Sequence, residues 1–301
     1  MATIHYVTQT TLRLYEVPAD AALDRFKPHG TELLYGEAFA VEHTKGDMAL
    51  GRSLVDGYEG WVLTRGLKSA QAQDGAPKTM RACKLYAPIY AAPDVKGRVL
   101  GSIPFGGRAL RDDTTDTQNG YVREVLSGGW VRLDHFDAEE EAADGHEHGD
   151  VPPTQKTVGK AISTAQIFMG CPYVYGGRSP AGIDCSALVQ LAFAAHGAAL
   201  PRDSGPQRVF LAKAGALCVD FDSLRIDASA ESADHEPRAL DIVFFPGHVG
   251  MMVNNTQILH ATGHGMKVCI EDIVDVEQRY TAEAKAKGSS RGITALRRFV
   301  R

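Results

Sequence analysis

Three residues of this 301-residue chain have the types and spacing of a nucleophile with two proton-handling partners: Cys185, His248 and His260. Cys185 follows a glycine-rich stretch, Gly176-Gly177-Arg178-Ser179-Pro180-Ala181-Gly182, then Ile183 and Asp184, and it opens an apolar run with helical spacing. A helix start presents free N–H groups and a positive partial charge. Both favour thiolate over thiol, and the same N–H groups can hold an oxyanion. Taken alone, a small buried hydrophobe remains an open reading of Cys185. Asp184 fits the N-cap of the same helix.

His248 follows Pro246-Gly247 and starts a strand signal, Val249–Val253. His260 lies in the next one, Gln257–Ala261, after an Asn254-Asn255 turn. A base that must reach a sulfur on another element needs such a position at a sheet rim. Side chains alternate faces along a strand. His248 and His260 therefore share a face only if paired positions sum to an even number. A two-residue turn would pair 253 with 256, an odd sum. The chemistry thus requires a three-residue loop or a bulge between these strands. In that register His260 can orient the imidazole of His248 as the third member of a triad. A core histidine with a satisfied hydrogen bond is the plainer alternative for His260.

The elements that must carry these residues follow from periodicity. From 157 the texture is helical: Val158, Ala161, Ile162, Ala165, Phe168 and Met169 recur at 3.6. Gly170-Cys171-Pro172 ends that helix. A second helix is expected over 185–196, with Leu188, Val189, Ala192 and Phe193 inward. Strand signals at Ile242–Phe245, Val249–Val253 and Gln257–Ala261 come after. Helices followed by an antiparallel sheet is an α+β order. Residues 30–136 have instead a strand-and-turn texture. Gly-Trp-Val recurs at 60–62 and 129–131 and contains both tryptophans of the chain. Two small barrels are the inference. Residues 138–156 read as an acidic, proline-bearing linker. His146 and His148 within it are solvated residues rather than a metal site.

Composition narrows the classes. The net charge of −5 argues against a nucleic-acid reader. No apolar run of about 18 residues marks a membrane span. Met1-Ala2-Thr3-Ile4-His5 does not open like a secretory signal, so a cytoplasmic location is expected. Five spread cysteines, with no Cys-x-x-Cys, fit reduced thiols better than a disulfide framework or a zinc knuckle. No metal and no organic cofactor is expected.

Pro172-Tyr173-Val174-Tyr175-Gly176-Gly177 and Gly182-Ile183-Asp184-Cys185-Ser186-Ala187-Leu188-Val189-Gln190 closely resemble the nucleophile segment of the NlpC-type cysteine peptidases. These are papain-like enzymes that cut bacterial cell-wall peptides. Leu200-Pro201-Arg202-Asp203-Ser204-Gly205-Pro206-Gln207 resembles the family's next signature. Asp241–Phe245 with His248-Val249-Gly250 resembles its histidine segment, and Ile258-Leu259-His260-Ala261 that of its third polar residue. The resemblance implies Cys185 as nucleophile, His248 as general base, His260 as its orienter and Tyr173 as a lining or oxyanion contact. Tyr175 stands where many members have Trp, and Cys171 is unusual. The Gly-Trp-Val segments resemble tandem bacterial SH3-like barrels. The implied architecture is an α+β papain-like catalytic domain (157–301) preceded by two small all-β SH3-like barrels. The first spans 1–75 with an N-terminal arm, the second 76–137, and 138–156 links them to the catalytic domain.

Members with such barrels resemble murein-peptide recycling enzymes. Those cleave between γ-D-glutamate and a diamino acid in peptides with a free N-terminal L-alanine. That resemblance implies Asp184 and Ser186, with Glu37 and Tyr58 from the first barrel, as contacts to the substrate amine. The expected partner is a murein-derived peptide, with neither nucleic acid nor membrane. The oligomeric state and the choice between diaminopimelate and lysine are not readable. Three alternatives stay open: a secreted hydrolase of intact wall, a zinc hydrolase using Cys185, His248 and His260, and a non-catalytic SH3-type binding protein.

Overall fold

The computed structural model describes residues 2–16, 28–69, 78–111, 116–138, 153–214, 216–220, 236–285 and 292–299. Most of the expected linker, including His146 and His148, and most of segment 212–238 lie outside them. Contacts divide the chain into two compact units. One is Met1–His146 with Tyr175–Gly182, the other Glu147–Val174 with Ile183–Arg301. The eight residues Tyr175–Gly182, shortly before Cys185, cluster with the N-terminal strands rather than with the rest of 157–301.

The first unit begins with β1 (Thr3–Val7), β2 (Thr11–Tyr15), β3 (Pro28–Leu34), β4 (Ala38–Lys45), β5 (Met48–Ser53), β6 (Glu59–Leu63) and β7 (Leu67–Lys68). They form one sheet in the order β3-β2-β6-β5-β4-β1-β7. The expected N-terminal arm is instead β1, hydrogen-bonded between β4 and β7. Alternation explains the core. Leu12 and Leu14 point inward from β2 and Val62 from β6, packing with Leu33, Phe39 and Val41.

A second set follows: β8 (Thr79–Ala82), β9 (Tyr86–Tyr90), β10 (Val99–Pro104), β11 (Arg108–Leu110), β12 (Tyr121–Arg123), β13 (Trp130–Arg132) and β14 (Phe136–Ala138). These make a four-stranded sheet, β10-β9-β13-β12, and a three-stranded one, β11-β8-β14. The Gly-Trp-Val repeat has a structural counterpart. In each set it enters a strand, its valine is fully buried, and a 3₁₀ turn and a short strand follow.

Tyr35-Gly36-Glu37 joins the pieces of this unit. Tyr35 packs in the second set's core, and its hydroxyl donates to the buried Glu124 carboxylate at 2.7 Å. Gly36 has φ +74°, and a Cβ there would lie 1.9 Å from the Arg108 carbonyl oxygen, so only glycine fits. Glu37 is fully buried and takes two hydrogen bonds from Arg178, at 2.8 and 3.0 Å. Arg178 also donates to the Glu32 backbone, and its own N–H is held by the Glu32 carboxylate. These contacts bind 175–182 into the unit. With Arg108 near Glu37 and Arg13 near Glu32, each at 3.8 Å, they compensate the buried charges rather than leave any alone.

The second unit opens with α1 (Gln155–Gln166), capped by Thr154, whose hydroxyl accepts from the Thr157 N–H. Val158, Ala161, Ile162 and Ala165 face inward as their spacing requires. Met169, expected on that face, lies beyond the helix end and is exposed. After β15 (Arg178–Ser179), which belongs to the first unit, and β16 (Gly182–Ile183) come α2 (Cys185–Ala194) and α3 (Ser204–Lys213). Then follow β17 (Leu217–Asp220), β18 (Ile242–Phe245), β19 (His248–Met252), β20 (Gln257–Thr262), β21 (Lys267–Asp272), α4 (Ile273–Lys285) and β22 (Ala295–Arg298). The sheet is antiparallel in the order β17-β22-β18-β19-β20-β21. The order helices-then-sheet is thus modified by α4 and by β22, which inserts between β17 and β18. α2 is buried on nearly every side and packs on β19 and β20. Among the described residues, no helix is long and apolar enough to cross a membrane.

Both tryptophans lie in the first unit, so their fluorescence follows its unfolding. Arg178→Met removes the two short bonds to the buried Glu37 carboxylate, leaving it Arg108 at 3.8 Å and the Leu34 N–H, and is expected to destabilise that transition by ~2–4 kcal/mol. The double variant with Glu37→Leu should recover part of the loss. A loss below ~1 kcal/mol for the single variant, in the surface-pair range, would contradict the pairing.

Candidate active site

Cys185 is the first residue of α2. The Asp184 carboxylate caps the helix, accepting from the Ala187 N–H at 2.8 Å. The backbone N–H of Val249, next to His248 on β19, is near enough to favour the ionised sulfur. The residue is only 6% exposed. Burial, then the adjacent Asp184 charge, pushes the thiol up to about 12, against the opposing pull of the Val249 N–H, Arg202 and the Ser186 N–H. This corrects the expected thiolate. The carboxylate that caps the helix also places a negative charge beside the sulfur, and burial penalises a second one.

Asp184 has a strong cation partner that sequence reading missed. Arg202, fully buried, donates to its two carboxylate oxygens at 2.7 and 3.0 Å and to the Ser186 hydroxyl oxygen at 2.8 Å. Gln207, at the start of α3, donates to the Ser186 and Pro201 carbonyls, each at 2.9 Å. The segment Leu200–Gln207 is thus a clamp on the nucleophile turn. Its only signal in the sequence was the motif itself, which assigns no contact.

β19 and β20 settle the register question. Met251 pairs with Leu259 and Met252 with Ile258, so paired positions sum to an even number. The Val253 N–H donates to the Gln257 carbonyl, leaving Asn254, Asn255 and Thr256 as a three-residue loop. The parity requirement is met, and His248 and His260 lie on one face. His248 Nε2 and His260 Nδ1 are 2.9 Å apart, with the rings edge to face. Gly250 lies between them on that face. A Cβ there would come within 3.1 Å of the His260 Cβ and closer still to Ile258, so glycine makes room for the pair.

His248 is buried, and its ring stacks on Tyr280 of α4 at 5.4 Å. Burial holds its pKa well below the ordinary histidine value, and the charges of His260 and Arg279 act the same way. It is therefore a neutral base at neutral pH. His260 is also buried. Its Nε2 meets the Glu271 carboxylate at 2.8 Å, and Arg279 donates to the same oxygen at 2.9 Å. Burial lowers the His260 pKa despite the pull of Glu271. Burial opposes ionisation of Glu271, yet the His260 hydrogen bond and the nearby His260 and Arg279 charges hold its carboxyl below the usual range. Glu271, Arg279 and Tyr280 were not found from sequence, because β21 and α4 carry no motif.

Other expected site residues are placed as follows. Tyr173 is half-buried, its ring beside Gly263 just after β20, and its N–H donates to the Met266 carbonyl. Cys171 is half-buried, and burial raises its thiol, so nothing activates it. The residues expected to contact the substrate amine have the following surroundings. Asp184 and Ser186 are already tied to Arg202, so Asp184 is charge-compensated. Glu37 is compensated by Arg178. Tyr58 packs against the first sheet's apolar core.

The three-ligand zinc reading also fails on geometry. The facing nitrogens of His248 and His260 bond each other, closer than the ~3.3 Å that two nitrogens take on one tetrahedral zinc. His260, Cys269 and Glu271 do offer ligand atoms within 4.8 Å of one another. There the Glu271 oxygen is already held by His260 and by the Arg279 cation, which opposes a second cation.

With this geometry, residues 170–286 match the NlpC/P60 family, and residues 14–67 match the bacterial dipeptidyl-peptidase Sh3 domain. Residues 170–286 are thus an NlpC/P60 domain. Similar proteins include a gamma-D-glutamyl-L-lysine dipeptidyl-peptidase of Bacillus cereus (strain ATCC 10987 / NRS 248), 29% identical over 59% of this chain and 53% of the relative. Another of that name, from Bacillus subtilis (strain 168), is 32% identical over 40% of this chain and 38% of the relative. Dipeptidyl-peptidase 6 of Lysinibacillus sphaericus is 29% identical over 40% and 38%. The chain thus spans about half, or less, of the length of the curated relatives it matches. A crystal structure of an NlpC/P60 family protein from Bacillus cereus ATCC 10987 covers 99% of this chain and 100% of its own, with TM-score 0.68 and 19% identity. It shows that the fold is shared.

A resting thiol makes a chemical prediction for this NlpC/P60 site. Iodoacetamide alkylation of Cys185, followed by peptide mass spectrometry, should still be accelerating at about pH 10. A rate already level by pH 7 would mean a preformed thiolate and contradict the burial argument.

Proposed function

We propose that this chain is a cysteine peptidase that hydrolyses the γ-D-glutamyl–diamino acid bond of free murein peptides. The observation that carries the reading is the hydrogen-bonded His248–His260 pair on β19 and β20, the two strands against which the helix opened by Cys185 packs. The printed names of the relatives support the substrate class. The strand, 3₁₀ turn and strand shared by both N-terminal sets support reading the second as another SH3-like barrel.

In this mechanism the resting site holds a thiol and a neutral imidazole. As the substrate carbonyl approaches, His248 takes the Cys185 proton and the sulfur attacks. Backbone N–H groups at the start of α2, with Tyr173, stabilise the tetrahedral oxyanion. The imidazolium then protonates the leaving amine of the diamino acid, and the C–N bond breaks. Water, deprotonated by His248, attacks the thioester and releases the glutamyl product with regeneration of the thiol. His260 holds the ring through both transfers.

Incubation of L-Ala-γ-D-Glu-diamino-acid tripeptides with the protein, read by mass spectrometry, should give L-Ala-γ-D-Glu and the free diamino acid. Cys185→Ala should give neither. Cleavage of intact sacculi but not of tripeptides would favour the wall-hydrolase alternative, and full activity of Cys185→Ala would overturn the mechanism. The pH profile has a fixed sign. A base whose pKa is lowered stays neutral and competent until pH falls through that lowered value. The acid limb of kcat/KM should therefore lie below pH 6.5, the ordinary histidine value. An acid limb above it would contradict the assignment of His248 as a buried neutral base.

A further inference from the structure

We propose that Glu271, held by Arg279, is a positioning residue that sets the proton order of both imidazoles and so leaves the lone pair of His248 Nδ1 available as base. The inference deepens the peptidase reading and rests on it. It follows from hydrogen-bond valence. An ionised carboxylate can only accept. At 2.8 Å from Glu271, His260 Nε2 must therefore carry the proton. Neutral His260 then has an unprotonated Nδ1. At 2.9 Å from that atom, His248 Nε2 must carry the proton in turn. Neutral His248 is left with an unprotonated Nδ1, the nitrogen not engaged by His260. Each link fixes the next, from a carboxylate on β21 to the base on β19.

Arg279 completes the arrangement from α4. Its guanidinium donates at 2.9 Å to the same Glu271 oxygen that His260 meets, which keeps the carboxylate ionised and acceptor-only. On α4 the next residue, Tyr280, stacks on the His248 ring, which holds the second imidazole in plane for the chain of bonds. A protonated or absent Glu271 would allow the reverse order, with His260 Nδ1–H donating to His248. The His248 proton would then sit on Nδ1, where it cannot accept from the thiol. Protons are conserved in both orders; only their positions differ.

The test uses the full-length protein labelled with ¹⁵N. Long-range ¹H–¹⁵N spectra distinguish Nε2–H from Nδ1–H imidazoles, with His248 and His260 assigned from their single His→Gln variants. Wild type should show both rings as Nε2–H at neutral pH. In Glu271→Leu, and in the volume-matched Glu271→Gln, whose amide can also donate, at least one ring should show the Nδ1–H form. On the tripeptide, both variants should lose kcat by about tenfold or more with KM nearly unchanged, as expected for loss of an orienting carboxylate. Arg279→Met should lose less. An Nδ1–H His260 in wild type, or an unchanged pattern in both Glu271 variants, would overturn the inference. Turnover failing in wild type while the tautomer pattern responds to Glu271 would instead defeat the peptidase reading and leave the proton order standing.

Discussion

The parity of one hairpin governs the chemistry of this protein. Three residues, Asn254, Asn255 and Thr256, turn the chain between β19 and β20. One residue fewer would put His260 on the opposite face of the sheet from His248. With three, the two rings meet at hydrogen-bond distance over a glycine that leaves them space. The helix bearing the sulfur packs on the same two strands. Base and orienter are therefore held by adjacent strands, and their alignment is as well determined as the sheet register itself.

Burial then decides which protonation state that alignment serves. A helix N-terminus alone would favour a thiolate. Here the capping carboxylate of Asp184 satisfies the helix and opposes the same thiolate. Arg202 answers by pairing with Asp184, so the turn carries a compensated charge rather than a net one. The imidazole is pushed in the complementary direction, toward its neutral form. The resting site is neutral on both sides, and charge develops only when a carbonyl is present to receive the electrons.

Much of this was legible in the residues, and the division is physical. The inward face of α2, the spacing of α1 and the parity of the hairpin are local patterns, and Leu188, Val189, Ala192, Phe193, His248 and His260 followed from them. The Gly-Trp-Val repeat likewise marks two related strand-turn-strand segments. What could not be read was long-range pairing of charge. Glu37 looks like a free carboxylate until Arg178, far along the chain, is seen bound to it. Asp184 looks available until Arg202 is placed. Glu271 and Arg279 lie on elements whose sequences carry no motif, and only the fold brings them to His260. β1 was missed because a short strand between two others has no turn signal of its own.

The account rests on an N–H···N bond between two buried imidazoles. Scalar coupling between ¹⁵N nuclei across that bond measures it directly in the labelled protein. A resolved coupling between His248 Nε2 and His260 Nδ1 at neutral pH, with the proton bound to His248, is the expected result. No coupling, with both nitrogens exchanging freely with water, would contradict it.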